Sequence, residues 1–160
     1  MQDVILDYTA LLSNGFLGWK VVWTSFWGKL WPKLWYPLST MSFSKKQSST
    51  LVTPLYKHLL PKLGVVLVLP LPYRYCMKKY LGLGLPCPHL EKIIAKLDLI
   101  LTHYSLPSQP GQHLRHAFEE LQFQLGLDTP FLHLPYSTYG CHLPTGWLHD
   151  LWSGCDLYPI

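Results

Sequence analysis

The spacing of apolar residues between Pro88 and Tyr104 is the feature that most constrains the fold. These residues recur with the period of 3.6 that is typical of an α-helix with one buried face. They are Leu90, Ile93, Ile94, Leu97, Ile100, Leu101 and Tyr104. Pro88 suits the first turn of a helix, and Glu91 favours its positively charged end. We therefore predict a helix over 88–104 that packs through this apolar stripe.

Weaker signals predict further helices. The segment Gly15–Trp31 favours a helix that ends before Pro32, since proline lacks an amide donor and clashes with the preceding turn. Ser44 can cap a second helix, which would run toward 60 with an interruption at Pro54 and close at the glycine of LPKLG. A third covers 112–125, and 147–152 forms a short amphipathic turn.

The remaining segments complete the predicted fold. VVLVLPLPYRY (65–75) begins with β-branched residues and continues into prolines, so it reads as extended chain. We predict a mainly α fold of four or five helices, with one short extended apolar segment at 65–73 and an irregular Pro-rich C-terminal tail. Residues 1–160 suit a single domain or domain fragment, with a basic, Trp-rich part at 15–104 and an acidic, His-rich part at 105–160.

The charge is unevenly divided along the chain. Residues 1–80 hold ten Lys or Arg against two acids (+8), whereas residues 81–160 hold three against seven (−4). Lysines interleaved with aromatic residues can follow a phosphate backbone and stack on bases. The simpler alternative is that the basic half packs against the acidic half. Charged residues make up only 14% of the chain, which predicts either exposed apolar patches that bind a partner or neighbouring segment, or poor solubility.

No signal for export or membrane insertion is evident. The start, MQDVILDY, is acidic, so it is no secretory signal, and the four cysteines lack a C-x-x-C pair. Three lysines and Pro32 interrupt the apolar run at 16–38, and VVLVLPLP is too short to span a bilayer. We predict an intracellular protein without a transmembrane helix. An interfacial aromatic helix over 16–38 is a less favoured alternative.

The stretch HLRHAFEELQFQLG (113–126) raises the question of a metal site. His113, His116 and Glu120 share one polar stripe of the predicted helix and could hold Zn²⁺ or Fe²⁺. The H-E-x-x-H order is absent, and a polar stripe beside an apolar one is what any surface helix shows. Phe123 points away from the apolar face. We predict no metal and no cofactor.

Two other kinds of chemistry were weighed. A second set of metal ligands (Cys141, His142, His149, Cys155) fits no common zinc spacing. Metal-dependent phosphoryl transfer needs carboxylates held close together, and no aspartate here adjoins another acid. The sequence therefore predicts a protein that is not an enzyme.

Six phrases together resemble part of a known family. In chain order they are WPKLWYPLSTMSFS (31–44), LLPKLG (59–64), YLGLGLPCPHLE (80–91), GQHLRHAFEELQFQLG (111–126), TPFL (129–132) and WLHDLW (147–152). They resemble the stretch that follows the catalytic palm in retroelement reverse-transcriptase open reading frames. The resemblance covers roughly residues 15–152.

The resemblance implies a helical accessory segment, similar to a thumb or connection region that steadies the template–primer. The Y-x-D-D turn of the polymerase is absent, so the palm would lie upstream of Met1. Arg115 falls on the family's G-x-x-x-R arginine and Lys62 on its L-P-K lysine, and neither is catalytic. VVLVLPLP stands where the family continues with a polar, Arg-containing run, which implies a degenerate fragment.

We therefore predict a non-catalytic fragment with at most weak nucleic-acid contact. The candidate contact residues are Lys29, Lys33, Lys45, Lys46, Lys62 and Arg115. The expected partners are nucleic acid or a missing upstream reverse-transcriptase segment, and no small-molecule substrate is expected. The alternatives are a membrane-surface protein that uses 16–38 and, less favoured, a His/Cys metal-binding protein.

Overall fold

The computed structural model of the chain describes residues 1–157, apart from the side chain of Asn14. The α-helices are α1 (Gln2–Asn14), α2 (Trp19–Ser25), α3 (Trp31–Leu38), α4 (Lys45–Lys62), α5 (Leu71–Tyr75), α6 (Pro88–His103), α7 (Gln109–Leu125), α8 (Tyr136–Tyr139) and α9 (Trp147–Leu157). A π-helical turn lies at Phe26–Leu30, and 3₁₀ turns lie at Lys78–Tyr80, Phe131–His133 and Gly140–His142. Over the described residues all regular structure is helical, so the prediction of a mainly α fold is confirmed.

Two compact units divide the chain. The first contains Met1–Leu38 and Phe43–Glu91, and the second contains Ser39–Ser42 and Lys92–Ile160. The first holds ten Lys or Arg against three acids (+7), and the second holds three against six (−3). We call them the basic unit and the acidic unit. The predicted division at 104/105 stays a prediction about charge, since these units are defined by packing.

The core of the basic unit forms between α1, the Trp19–Leu38 run and α4. Its most buried side chains are Ile5, Leu12, Val22, Phe26, Leu30, Leu55, Leu59 and Leu60. Each fully buried side chain of this kind contributes about 1.5–3 kcal/mol of hydrophobic stabilisation. The helix α1 was not predicted, although Ile5, Tyr8 and Leu12 follow helical spacing and all three are buried.

The predicted helix end at Pro32 is wrong, because the helical run continues to Leu38. The Trp31 amide donates to the Phe26 carbonyl, five residues back, so the hydrogen-bond register has already shifted where Pro32 enters. A π-turn of this kind inserts an extra residue into the helix. Proline's missing donor therefore falls at a change of register, and the helix passes through it. We call Trp19–Leu38 the aromatic helix.

The helix α4 begins as predicted and has no break. The Gln47 amide donates to Ser44 Oγ (3.2 Å) and the Ser44 amide donates to Gln47 Oε1 (2.8 Å), which is a capping box. The predicted interruption at Pro54 is wrong: α4 runs through Lys62, and Pro54 lies on its exposed side. Solvent can hydrate the carbonyl that proline leaves unpaired there. Gly64 closes the helix with a φ of 75°, as predicted.

The predicted extended segment at 65–73 is also wrong. The Leu69 amide donates to the Val66 carbonyl in a turn (3.2 Å), and α5 follows from Leu71. Within the described residues no strand is present to pair with this segment. The Arg74 guanidinium instead binds the carbonyls of Leu67 and Leu69, each at 2.8 Å. The Arg74 side chain thus binds backbone carbonyls that a neighbouring strand would bind in a sheet.

The acidic unit packs α6, α7 and α9 around an aromatic core. Its buried residues are Ile93, Ile100, Phe118, Leu121, Phe131, Leu151 and Trp152. The helix α6 occupies nearly the predicted range, but its buried face is rotated from the predicted stripe. Ile94 is 39% exposed and Leu101 80% exposed, whereas Lys92 and Lys96 are fully buried.

The helix α7 agrees with its prediction. Phe118 and Leu121 are buried, Phe123 is 89% exposed, and Gly126 ends the helix with a φ of 65°. The expectation of an irregular tail is not confirmed, because α8, α9 and two 3₁₀ turns lie between 131 and 157. The described part of the chain thus has more helices than the four or five predicted. The last residues of the predicted tail, 158–160, lie outside the described residues.

Candidate functional site

The aromatic helix carries a continuous ladder of rings. Ring centroids lie 5.9 Å apart for Trp23 and Trp27, 6.3 Å for Trp27 and Trp31, and 6.3 Å for Trp31 and Trp35. Such edge and tilted contacts add about 0.5–1.5 kcal/mol each beyond burial. Trp19 lies about one turn before Trp23, at the N-terminal end of the same helix. Trp19 is 58% exposed.

An aromatic pocket opens beside Trp19. Its lining residues are Trp19, Trp23, Leu63, Lys78, Gly82 and Leu83, and its volume is about 240 Å³. The Lys78 ammonium lies 4.1 Å from the centroid of the Trp23 ring, which is a close cation–π contact. The pocket therefore combines apolar walls with a single positive charge.

The loop Cys76–Gly84, which supplies one wall of this pocket, is tightly hydrogen-bonded. The Gly84 amide donates to the Cys76 carbonyl (2.8 Å), and the Gly82 amide donates to the Met77 carbonyl (3.2 Å). A Cβ atom on Gly82 would overlap the Cys76 carbonyl. The GLGL stretch thus forms a tight turn, and the close backbone approach requires glycine at position 82.

Leu81 at the tip of this loop has an unusual backbone and an unusual environment. Its φ is 63°, and within the described residues it is the one non-glycine residue with a positive φ. Its side chain is 92% exposed. A left-handed conformation costs an ordinary residue about 1–2 kcal/mol, and no burial of the leucine offsets this cost. Such an outlier motivates a functional hypothesis.

Exposed apolar residues lie in the chain segments that flank the pocket-lining residues, and we call them the apolar rim. They are Phe16, Leu17, Trp19, Val66, Leu67, Val68, Met77 and Leu81. Three separate segments contribute them, and contacts show that these segments are neighbours: Lys62 Nζ donates to the Gly15 carbonyl, and the pocket joins Trp19, Leu63 and Lys78. Phe16 is fully exposed and Val68 is 86% exposed. Single exposed apolar residues are common on proteins, but clusters mark contact surfaces.

Lysines lie beside exposed aromatic rings in the segments that contribute the rim. Lys20 Nζ lies 5.7 Å from the Trp19 ring centroid, and Lys79 Nζ lies 4.8 Å from that of Tyr80. Both lysines are exposed. The rim thus offers apolar groups to a hydrophobic phase and ammonium groups to anions at its edge.

The six residues predicted to contact nucleic acid fall into two groups. Lys29 and Lys33 on the aromatic helix and Lys45 and Lys46 on the first turn of α4 are exposed. Lys62 and Arg115 instead bind backbone carbonyls. Lys62 binds the Gly15 carbonyl, and Arg115 Nη1 binds those of Tyr104 (2.6 Å) and Leu106 (3.2 Å). Arg115 therefore caps the end of α6.

The residues weighed as metal ligands lie on separate surfaces. His113, His116 and Glu120 are exposed on α7, where His116 Nδ1 lies 3.7 Å from Glu119 and Glu120 accepts from Gln124 Nε2 at 3.3 Å. Within the part of the chain that the structure describes, three or more His, Cys, Asp or Glu side chains are nowhere placed to hold one ion.

The cysteine–histidine set of the tail is likewise dispersed. His149 Nε2 pairs with the Tyr136 hydroxyl at 2.7 Å, whereas Cys141 is exposed. Cys155 is partly buried, and burial raises the pKa of its thiol. A raised pKa disfavours the thiolate that a metal requires.

A buried charge cluster in the acidic unit escaped prediction. Lys92 Nζ and Lys96 Nζ each lie 2.6 Å from a different oxygen of Asp150, and both lysine side chains are fully buried. Lys96 also donates to the Trp147 carbonyl (3.3 Å) and to Ser42 Oγ (3.4 Å). Burial lowers the pKa of Lys96, and the hydrogen bond to Asp150 opposes that shift.

One sequence signal for this cluster existed. Lys92 and Lys96 are like charges four residues apart on α6, an arrangement that destabilises a helix unless an acid lies between them. The acid is Asp150 of α9. It is distant in the sequence, so the spacing of residues on α6 could not identify it as the partner.

Among the described residues, no helix combines the length and the apolar character needed to cross a bilayer. Comparisons with protein-family models, curated proteins and solved structures found no match to this chain.

Proposed function

We propose that the basic unit binds the surface of membranes that contain anionic lipids, through the apolar rim. The observation that carries the proposal is the exposure of Phe16 and Leu81 beside lysines on neighbouring segments. Leucine and phenylalanine side chains gain free energy when they enter the acyl boundary of a bilayer. Each lysine near an anionic surface adds about 1 kcal/mol. The basic unit carries a net charge of +7, so attraction to such a surface is expected.

The shape of the rim distinguishes this proposal from an interfacial helix at 16–38. Val22, Phe26 and Leu30 of the aromatic helix are buried in the core of the basic unit. Their side chains are therefore not available to lipid. The contact comes instead from the start of that helix together with two loops.

Vesicle flotation of the purified chain tests the proposal. We expect binding to vesicles of phosphatidylcholine with added phosphatidylserine, and weaker binding to phosphatidylcholine alone. The changes Phe16→Ser and Leu81→Asn should each weaken binding about tenfold, because burying one such side chain contributes about 1.5–3 kcal/mol. Asparagine tolerates the left-handed backbone at Leu81, so the fold should be retained.

Matched variants come from the acidic unit. Phe123→Ser and Leu101→Asn replace the same residue types at 89% and 80% exposure, and we expect each to leave vesicle binding unchanged. Equal losses in both sets, or no binding by the unaltered chain, would refute a contact through the rim.

Single-stranded nucleic acid is a second candidate, with the chain as a non-catalytic accessory fragment of the kind that follows a reverse-transcriptase palm. The exposure of Lys29 and Lys33 on the helix that carries the ring ladder, and of Lys45 and Lys46 on the first turn of α4, supports it. Lysines that track phosphates and aromatic residues that stack on bases are the usual means of such binding. Exposed aliphatic residues such as Val68 and Leu81 have no role in this candidate, which is why we place it second.

Fluorescence anisotropy of a labelled single strand tests the second candidate. Binding should fall steeply with salt, and the slope of the logarithm of affinity against that of salt should shrink by about 0.7 for each phosphate contact removed. The fourfold variant Lys29→Gln, Lys33→Gln, Lys45→Gln, Lys46→Gln should therefore have a much flatter slope. An unchanged slope would exclude these lysines as the contact residues.

A further inference from the structure

The aromatic pocket is a concave site with apolar walls and a positioned charge, and attachment to a membrane surface alone does not require such a site. Its volume of about 240 Å³ exceeds the roughly 150 Å³ of a cavity that accepts benzene. Trp19, Trp23 and the two leucines supply its apolar walls. A pocket of mainly apolar lining with one placed charge is the usual form of a small-molecule site.

Lys78 is held at the wall of the pocket. It begins the 3₁₀ turn Lys78–Tyr80, and its ammonium rests on the Trp23 ring at 4.1 Å. The Leu83 amide donates to the Tyr73 carbonyl (2.9 Å), so the loop that carries Lys78 is fastened to α5 as well as to itself. An anion at the pocket mouth would thus meet a pre-positioned ammonium.

The geometry points to the phosphate-bearing headgroup of a single anionic lipid as the occupant of this pocket, with its phosphate on Lys78 and its glycerol and first methylenes against Trp19 and Trp23. This inference rests on the proposed membrane function and names the lipid class it selects. Charge complementarity excludes a cationic headgroup, because Lys78 is the one charged residue among the described residues that line the pocket. The acyl chains do not fit a space of this size and remain outside the pocket.

The experiment uses the full chain and short-chain lipids that remain monomeric, so that vesicle attachment does not enter. Tryptophan fluorescence is titrated with dihexanoyl phosphatidic acid, dihexanoyl phosphatidylcholine, inorganic phosphate and adenosine monophosphate. We expect saturable binding of the phosphatidic acid that is about tenfold tighter than that of the other three. Equal binding of phosphatidylcholine would remove the role of the charge. Equal binding of inorganic phosphate would remove the role of the apolar walls, and equal binding of the nucleotide would assign the pocket to a base. Absence of binding would overturn the inference.

Neighbouring lysines provide the matched pair of variants. Lys78→Gln should weaken phosphatidic acid binding about tenfold. Lys79→Gln removes the same charge one residue away and should change the binding less than about twofold, since an exposed charge outside the pocket contributes little. Lys78→Arg should restore most of the binding. Equal losses from both glutamine variants would show that net charge alone attracts the lipid.

This inference and the proposed membrane function fail in different ways. Phe16→Ser should weaken vesicle flotation and leave binding of the monomeric lipid intact, because Phe16 does not line the pocket. If vesicles bind but the short-chain phosphatidic acid does not, the pocket assignment is wrong and the rim proposal stands. If the short-chain lipid binds but no vesicle does, the rim proposal is wrong.

Discussion

At the scale of single residues, Asp150 is notable because each of its carboxylate oxygens binds a different buried lysine. Its two oxygens lie 2.6 Å from two fully buried ammonium groups, those of Lys92 and Lys96. A buried ion pair is weak evidence of net stabilisation, because removing charges from water costs free energy. Removing one partner of such a pair is strongly destabilising, because the remaining charges stay buried without a counterion or water.

We expect Asp150→Asn to lower the free energy of unfolding by about 3–5 kcal/mol, since both buried lysines lose their counterion. Lys96→Met should cost less than about 1.5 kcal/mol, because it leaves Lys92 and Asp150 as a balanced pair. Urea denaturation measures both. The control is Asp156→Asn, an exposed acid of the same helix α9, which should stay within about 0.5 kcal/mol. Similar losses for Asp150→Asn and Asp156→Asn would contradict the assignment.

At the scale of helices, local signals in the sequence predict what local interactions decide. The spacing of apolar residues located α6 and α7, and Ser44 and Gly64 located the ends of α4. The error in the buried face of α6 arose where a non-local contact intervenes. Lys92 and Lys96 rotate the buried face of α6 toward Asp150, and no helical period contains that information.

The capping box of α4 gives a test at this scale. Ser44→Ala should lower the free energy of unfolding by about 1 kcal/mol, because the Gln47 amide loses its acceptor. Ser49→Ala, an exposed serine inside the same helix, should be neutral or slightly stabilising, since alanine has the higher helix propensity. Thermal unfolding of both variants under one buffer checks the difference. An equal effect of the two changes would show that the box does not contribute.

At the scale of the whole molecule, the sequence predicts the charge division but not the candidate surface. Counting Lys and Arg is enough to locate the basic half. The apolar rim is assembled from segments around Phe16, Val66 and Leu81, which are distant in the chain. These segments come together only in the folded chain, so no sequence motif could predict the surface that they form. Lys29, Lys33, Lys45 and Lys46 are not among the residues that line the aromatic pocket, so the two functional candidates can be tested with separate variants.

Leu81 has a consequence for how this protein would respond to selection. Its left-handed backbone suits asparagine or glycine better than leucine, and its exposed side chain adds nothing to the core. A screen for heat resistance alone would therefore favour replacing it. The replacement that stabilises the loop also removes the apolar side chain that the proposed membrane contact uses. Thermal stability and membrane binding therefore favour different residues at this one position.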